Sequence, residues 1–278
     1  MKKIQILPFL MLIFFANCEK VVDIDVPSIK PKLIVDASFE VYFDESPVTA
    51  NTTVKLKLSA DYFDEVIPVV TNATVFVTNL SNNEIINFSD SNSDGNYEPI
   101  TDFIPLDSIE YELTVIYDNQ TYKGIATKVK STPLTSVVQG DETLFSGEET
   151  QVKVEFTDDG ALENYYLIDY TNNIFLTLED RFFNGSVYKF SSFYQEDEID
   201  LPAVVTVRLL GISKEYYTYF RILSGQSGQN GGGPFETVPS SLFGNMINTT
   251  NEENFPLGYF HIAESDTFTL VLVDNDEL

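Results

Sequence analysis

The sequence predicts a mainly β protein, an N-terminal β-sandwich of immunoglobulin-like or transthyretin-like kind followed by a second β-rich domain carrying one short helix. Three observations predict it. Tyr, Phe, Val, Thr and Ile dominate, with 15 Tyr and 22 Phe, whereas the helix formers Ala, Arg and Lys are scarce. Several stretches alternate apolar and polar residues with the period of a half-buried strand. Clusters of Asn, Asp, Ser and Gly separate these stretches, and no period of roughly 20 to 50 residues marks a repeat array.

From Leu33 to Tyr42, Leu33, Val35, Ala37 and Phe39 alternate with Ile34, Asp36, Ser38 and Glu40. Val54, Leu56 and Leu58 share one side of a second strand, and Ala73–Asn79 and Ile85–Phe88 follow before the polar turn at 90–96. Tyr111–Tyr117 pairs with Gln120–Ala126 across Asp118-Asn119. About seven strands in roughly 100 residues define a sandwich over residues 32–131. Thr132-Pro133 marks the boundary to a second domain, 132–278, with strands at Gln151–Phe156, Asn164–Tyr170 and Val204–Leu210. One segment departs from strand periodicity. Ser213 suits a helix N-cap and Gly225 a stop, which predicts a helix near 213–225 with Tyr217 and Phe220 along one side.

The first 17 residues have another purpose. Lys2 and Lys3 precede an almost wholly apolar run from Ile4 to Phe15, and Phe15-Ala16-Asn17 leads into Cys18, the sole cysteine. The run is shorter than the roughly 20 residues that span a bilayer, so residues 1–17 read as a bacterial signal peptide. Bulky-small-small-Cys is the pattern of a lipoprotein signal, and Phe15 replaces its usual Leu. Cys18 is therefore expected to become a lipidated N-terminus, with residues 18–31 as a tether. Acyl chains such as palmitate, at about 0.8 kcal/mol per buried methylene, give stable anchoring when several are present. A lone cysteine excludes an internal disulfide framework.

Charge narrows the partners. The whole chain carries −27; loss of Lys2 and Lys3 with the signal leaves 14 basic against 43 acidic residues, or −29. Nucleic acid is excluded, because its binding requires neutralisation of phosphates by Lys and Arg. The acidic balance reads as the solubility of an exported body.

Catalytic and metal signatures are sparse. His261 is the single histidine and lies in a strand-like segment, Leu257–Ile262, with no nucleophile elbow before it. One histidine and one lipidated cysteine cannot furnish the usual zinc ligands. Asp90, Asn92 and Asp94, followed by Gly95, match the first half of a calcium loop. Thr101 stands where the bidentate Glu belongs, so a β-hairpin turn is the preferred reading and calcium the alternative. The expectation is a protein that is not an enzyme and holds no resident cofactor.

A series of motifs runs through the chain: Cys18-Glu19-Lys20-Val21-Val22-Asp23-Ile24-Asp25, Pro31-Lys32-Leu33-Ile34-Val35-Asp36, Phe156-Thr157-Asp158-Asp159-Gly160 with Tyr165-Tyr166, and Asp180-Arg181-Phe182-Phe183-Asn184-Gly185. Gly211-Ile212-Ser213-Lys214-Glu215-Tyr216-Tyr217, Gly233-Pro234-Phe235, Gly244-Asn245 and Leu257-Gly258-Tyr259-Phe260 complete it. In this ordered set the sequence resembles domain-of-unknown-function family 4249 over nearly the whole mature chain. The resemblance implies a cell-envelope lipoprotein of the Bacteroidota type, of the sort commonly encoded beside TonB-dependent outer-membrane transporters. It assigns no catalytic residues. Asp107-Ser108-Ile109 further resembles the short O-glycosylation signal of such proteins, with Ser108 as acceptor.

The functional expectation is thus an outer-membrane lipoprotein, on the cell surface rather than the periplasmic face. It would act as non-enzymatic accessory or ligand-capturing partner of a TonB-dependent transporter. The alternatives are a structural or assembly subunit of a secretion or adhesion complex and, third, a surface hydrolase. Tyr217, Phe220, Gly231, Pro234 and Phe235, on the helix and the glycine-rich loop after it, are the candidate partner contacts. Replacing Cys18 with Ser is expected to abolish incorporation of labelled palmitate and move the protein from the membrane pellet to the soluble fraction. A Cys18→Ser protein that still sediments with membranes contradicts the anchor.

Overall fold

The computed structural model describes residues 30–61, 64, 66–144, 146–227 and 242–275. The chain is mainly β. In its first half the strands are β1 (Leu33–Tyr42), β2 (Thr49–Asn51), β3 (Val54–Leu58), β4 (Thr74–Asn79), β5 (Glu84–Ser89), β6 (Asn96–Pro99), β7 (Glu110–Tyr117) and β8 (Gln120–Val129). The second half contributes β9 (Leu134–Gln139), β10 (Thr150–Thr157), β11 (Tyr165–Asp169), β12 (Phe175–Glu179), β13 (Val187–Tyr194), β14 (Ala203–Ile212), helix α1 (Lys214–Gln226), β15 (Ile247–Asn248) and β16 (Leu257–Leu272). No helix among the described residues is long and apolar enough to cross a membrane.

Alternation decides which side of β1 faces inward. Leu33, Val35, Ala37 and Phe39 are at most 3% exposed and enter the first core, while Ile34, Asp36 and Ser38 face outward. Val54 and Leu56 of β3, Val75 and Val77 of β4, and Leu113 and Val115 of β7 join them. Phe39 stacks on Phe88 and meets Phe260 edge-on. The β7–β8 hairpin turns on Asp118 and Asn119, both with positive φ, the conformation that suits the twist of a tight hairpin.

Hydrogen bonding passes from β16 through β1, β3, β6, β5, β4 and β7 to β8, and β8 returns to β16 at Ile262 and Ala263. The two faces around the first core are therefore continuous at both margins. β16 runs parallel to β1 from Leu257 to Ser265 and antiparallel to β14 from Ser265 to Leu272. Beyond that point β14, β11 and β12 extend the sheet. A three-stranded sheet of β13, β10 and β9 covers one face of this extension, and α1 packs on the other.

Both faces of β11 are thereby covered, and all five of its residues are buried. Tyr166 and Ile168 point to the three-stranded sheet, whereas Tyr165 and Leu167 point to α1. This explains why Tyr165–Ile168 reads as a continuous apolar run without alternation. Residues 32–131 supply most of the first core, residues from 134 onward the second, and β16 gives Phe260 and Ile262 to one and Leu272 to the other.

Several of the ordered motifs are cross-links of this frame. The Tyr166 hydroxyl donates to Asp158 Oδ1 at 2.6 Å, and the Gly185 N–H donates to Asp158 Oδ2 at 2.8 Å. Asp180 accepts the Asn164 N–H at 2.8 Å. The Asn245 side chain brackets Phe260, donating to its carbonyl at 2.7 Å and accepting its N–H at 2.8 Å. The helix forms where its cap predicts: Ser213 Oγ accepts the Tyr216 N–H at 3.1 Å. It runs one residue past Gly225, to Gln226, and is capped by Ser227.

Gly258 carries the tightest requirement. It pairs with Val35, has φ of +94°, and a Cβ there would lie 2.0 Å from the Val35 carbonyl oxygen. Gly258→Ala is expected to cost about 3 kcal/mol or more through backbone strain and separation of β1 from β16. Urea titration followed by tyrosine fluorescence checks it; a loss under about 1 kcal/mol contradicts the close approach.

Candidate functional site

The outward-facing residues of β1, β16, β14 and β11 form the floor of a cavity of about 600 Å³, and α1 forms its wall. Its volume lies in the range of small-molecule sites, about 300–1,000 Å³. The wall owes its shape to a helical stripe: Tyr216, Tyr219, Phe220 and Leu223 recur at i, i+3, i+4 and i+7 and all line the cavity. Tyr219 tilts against Tyr259 with ring centroids 4.9 Å apart, and Phe220 meets Phe175 edge-on at 5.3 Å.

The opposite end is ionic. Arg208 of β14 donates through one guanidinium nitrogen to Glu40 Oε1 at 2.9 Å and through the other to Asp169 Oδ2. The side chains of Glu40 and Asp169 are only 10% and 9% exposed. Burial raises the Glu40 carboxyl above its ordinary range, and Arg208 opposes this. Removing one partner from such a buried group costs about 3–5 kcal/mol, so the three charges stand or fall together. Glu40 Oε2 is buried as well, and the Ser265 side chain also opposes the rise. Asp36, Asn51 and Lys55, all exposed, lie at the open rim.

His261 sits between these ends. Its ring stacks on Tyr216 with centroids 3.8 Å apart and planes 24° apart, and its buried Nδ1 has no partner. Burial pushes its pKa down to about 3, so the imidazole is neutral at physiological pH. A general base needs a partner within hydrogen-bond reach, and no hydroxyl, thiol or carboxylate is hydrogen-bonded to this ring among the described residues.

The other residues singled out by sequence lie elsewhere. Phe220 lines the cavity, whereas Tyr217 faces away from it, packs on Tyr165 with centroids 5.0 Å apart, and accepts from Arg221 at its hydroxyl. Both are half-buried on the body rather than projecting from it. Gly231, Pro234, Phe235 and Cys18 lie outside the described residues. Asp90, Asn92 and Asp94 form the turn between β5 and β6. Asp90 accepts the backbone N–H of Asp94 and of Gly95, at 3.2 and 3.0 Å, and Asp94 accepts that of Asn96 at 2.9 Å. Among the described residues no three His, Cys, Asp or Glu side chains gather where an ion would sit. Ser108 is exposed in a turn with φ of 59°, and its neighbour Asp107 is held by Lys128 at 2.6 Å and Lys130 at 3.2 Å.

Sequence reading weighs Tyr216 and Tyr219 as aromatics that stack on a sugar or partner but prefers them as core, and it passes over Arg208, Glu40 and Asp169 as site residues. Two signals pointed to them: the i, i+3, i+4, i+7 aromatic stripe, and a lone arginine inside the apolar run Val204–Leu210, which needs an acidic partner if buried.

Below its ordinary pKa of about 6.5, His261 takes up a proton in the unfolded chain but not in the folded one. Stability therefore falls as pH drops from about 6.5 toward 3. His261→Phe, which keeps a stacked ring, is expected to lessen that fall by about 1.5 kcal/mol between about pH 6.5 and 5, read from denaturant titrations. Equal pH slopes for both proteins contradict a neutral, buried imidazole.

Comparison with known proteins bears on the chain as a whole. No curated protein matches it in sequence. The family described as "Domain of unknown function (DUF4249)" matches residues 19–269, which takes in every residue that lines the cavity and the helix above it. The chain belongs to the DUF4249 family.

Proposed function

We propose that this protein is an outer-membrane lipoprotein, tethered through Cys18 and displayed at the cell surface. Its body captures a ligand as a non-enzymatic accessory of a TonB-dependent transporter. The observation that carries the reading is the cavity beneath α1, of about 600 Å³, with an aromatic wall at one end and buried charges at the other. Its polar groups are suited to holding a molecule rather than transforming it. Arg208 is committed to two carboxylates, and the single histidine is neutral and stacked on a tyrosine. The acidic body, at −27 for the whole chain, would be repelled by anionic lipid, which leaves attachment to the acyl chains.

The transporter partnership is tested by affinity purification of the lipidated protein from solubilised outer membranes of its native cell. A stoichiometric large β-barrel of the TonB-dependent class is the expected companion. Repeated recovery of the protein alone, or with secretion components instead, overturns the partnership.

A further inference from the structure

We infer that the cavity beneath α1 binds a monocationic amphiphile, an ammonium group on an aromatic or branched apolar body, as in an aromatic amine or the N-terminus of a short apolar peptide. The inference deepens the ligand-capturing part of the proposed function and rests on it, but not on the transporter.

Acceptors on the cavity floor set the first condition. Glu40 and His261 both line the cavity. They stand on neighbouring strands and on one face of the sheet, since His261 pairs with Ser38, two residues before Glu40 on β1. Asp36 and Asp169 line the same space, so carboxylates outnumber donors there, and an ammonium offers three N–H bonds.

Charge sets the second condition. Asp36, Glu40 and Asp169 share the cavity lining with Arg208 and Lys55, a surplus of one negative charge. A carboxylate or phosphate would find Arg208 already engaged by two carboxylates, whereas a single positive charge balances the site. The −27 of the chain also draws cations toward the body.

The wall sets the third. Tyr219, Phe220, Leu223 and Phe175 offer an apolar surface, with aromatic rings that favour a nearby cation. It is a poor platform for a sugar ring. One face of Tyr216 is taken by His261, and Tyr219 and Tyr259 lean on each other at 49°.

The test is calorimetric titration of the detergent-solubilised, lipidated protein with tyramine and with phenylalanyl-leucinamide, each beside its N-acetyl twin, which keeps the body and removes the charge. At least one amine is expected to saturate the protein and to bind at least tenfold more tightly than its acetylated form. Which amine binds better distinguishes a free aromatic amine from a peptide terminus. Glu40→Gln should weaken binding tenfold or more. Asp36→Asn, at an exposed rim position that leaves the Arg208 group intact, and Tyr219→Ala should each weaken it at least threefold. Glu155→Gln, on the three-stranded sheet, should leave it unchanged. Equal affinity for amine and acetylated twin, indifference to both Asp36→Asn and Tyr219→Ala, no binding of either amine, or preference for cellobiose or benzoate overturns the inference. A transporter recovered by affinity purification while no amine binds removes this ligand class and leaves the partnership; amine binding without a transporter does the reverse.

Discussion

Everything in this fold hangs on the two edges of β16. On one edge its first nine residues, Leu257 to Ser265, pair with β1; on the other, Ser265 to Leu272 pair with β14. Among the described residues no other strand contributes to both large apolar cores, and none meets β1, β8 and β14. The β1 ladder, the short β8 contact, the Asn245 side chain and the β14 ladder together engage the strand from end to end, so its register is fixed by these bonds as well as by side-chain alternation. The cavity inherits that register. Tyr259 and His261 sit beside Asp36 and Ser38 because Gly258 sits beside Val35, where only a glycine lets the two backbones approach so closely.

The site itself is a compromise between two ways of covering a sheet face. Toward β12 the helix lays aromatic rings on Phe175 and Leu167 and excludes water in the ordinary apolar manner. Toward β3 the helix no longer covers the face, and outward positions that elsewhere carry exposed polar residues are here half-enclosed and charged. Glu40 and Asp169 tolerate that enclosure because one guanidinium serves both. His261 tolerates it by shedding its proton. Each buried polar group has thus been accommodated individually, the carboxylates by a shared cation and the imidazole by neutrality.

How much of this was legible in the sequence depended on the range of the cause. β1 and β3 fall within the bounds that alternation gave them, because each has one face in a core and the other outside it, and a period of two records that directly. The helix was legible from Ser213, whose side-chain oxygen acts within a single turn. The short β2 and β15 and the edge strands β9, β12 and β13 escaped, since partly exposed strands have no strict alternation and exist through their neighbours. The site was least legible. Glu40 and Arg208 are 168 residues apart, and nothing local distinguishes the outward face of β1 as a cavity floor until α1 is laid across it. Tyr217 and Phe220 are separated by the same geometry: three residues apart on one helix, yet the first packs on Tyr165 and the second joins the cavity wall.

The parallel pairing of the first strand with the last has a consequence for the order in which the molecule is made. A ribosome, or a translocation channel, delivers Leu33 long before Leu257, and more than 200 residues of chain must emerge between the two partners. Until they do, β1 has β2 and β3 beside it but an empty edge opposite, and the first core lacks Phe260 and Ile262. Such a topology cannot settle piecemeal from its leading end; its slow step is the return of the trailing end across a long loop. The native ring of strands is therefore a property of the finished chain.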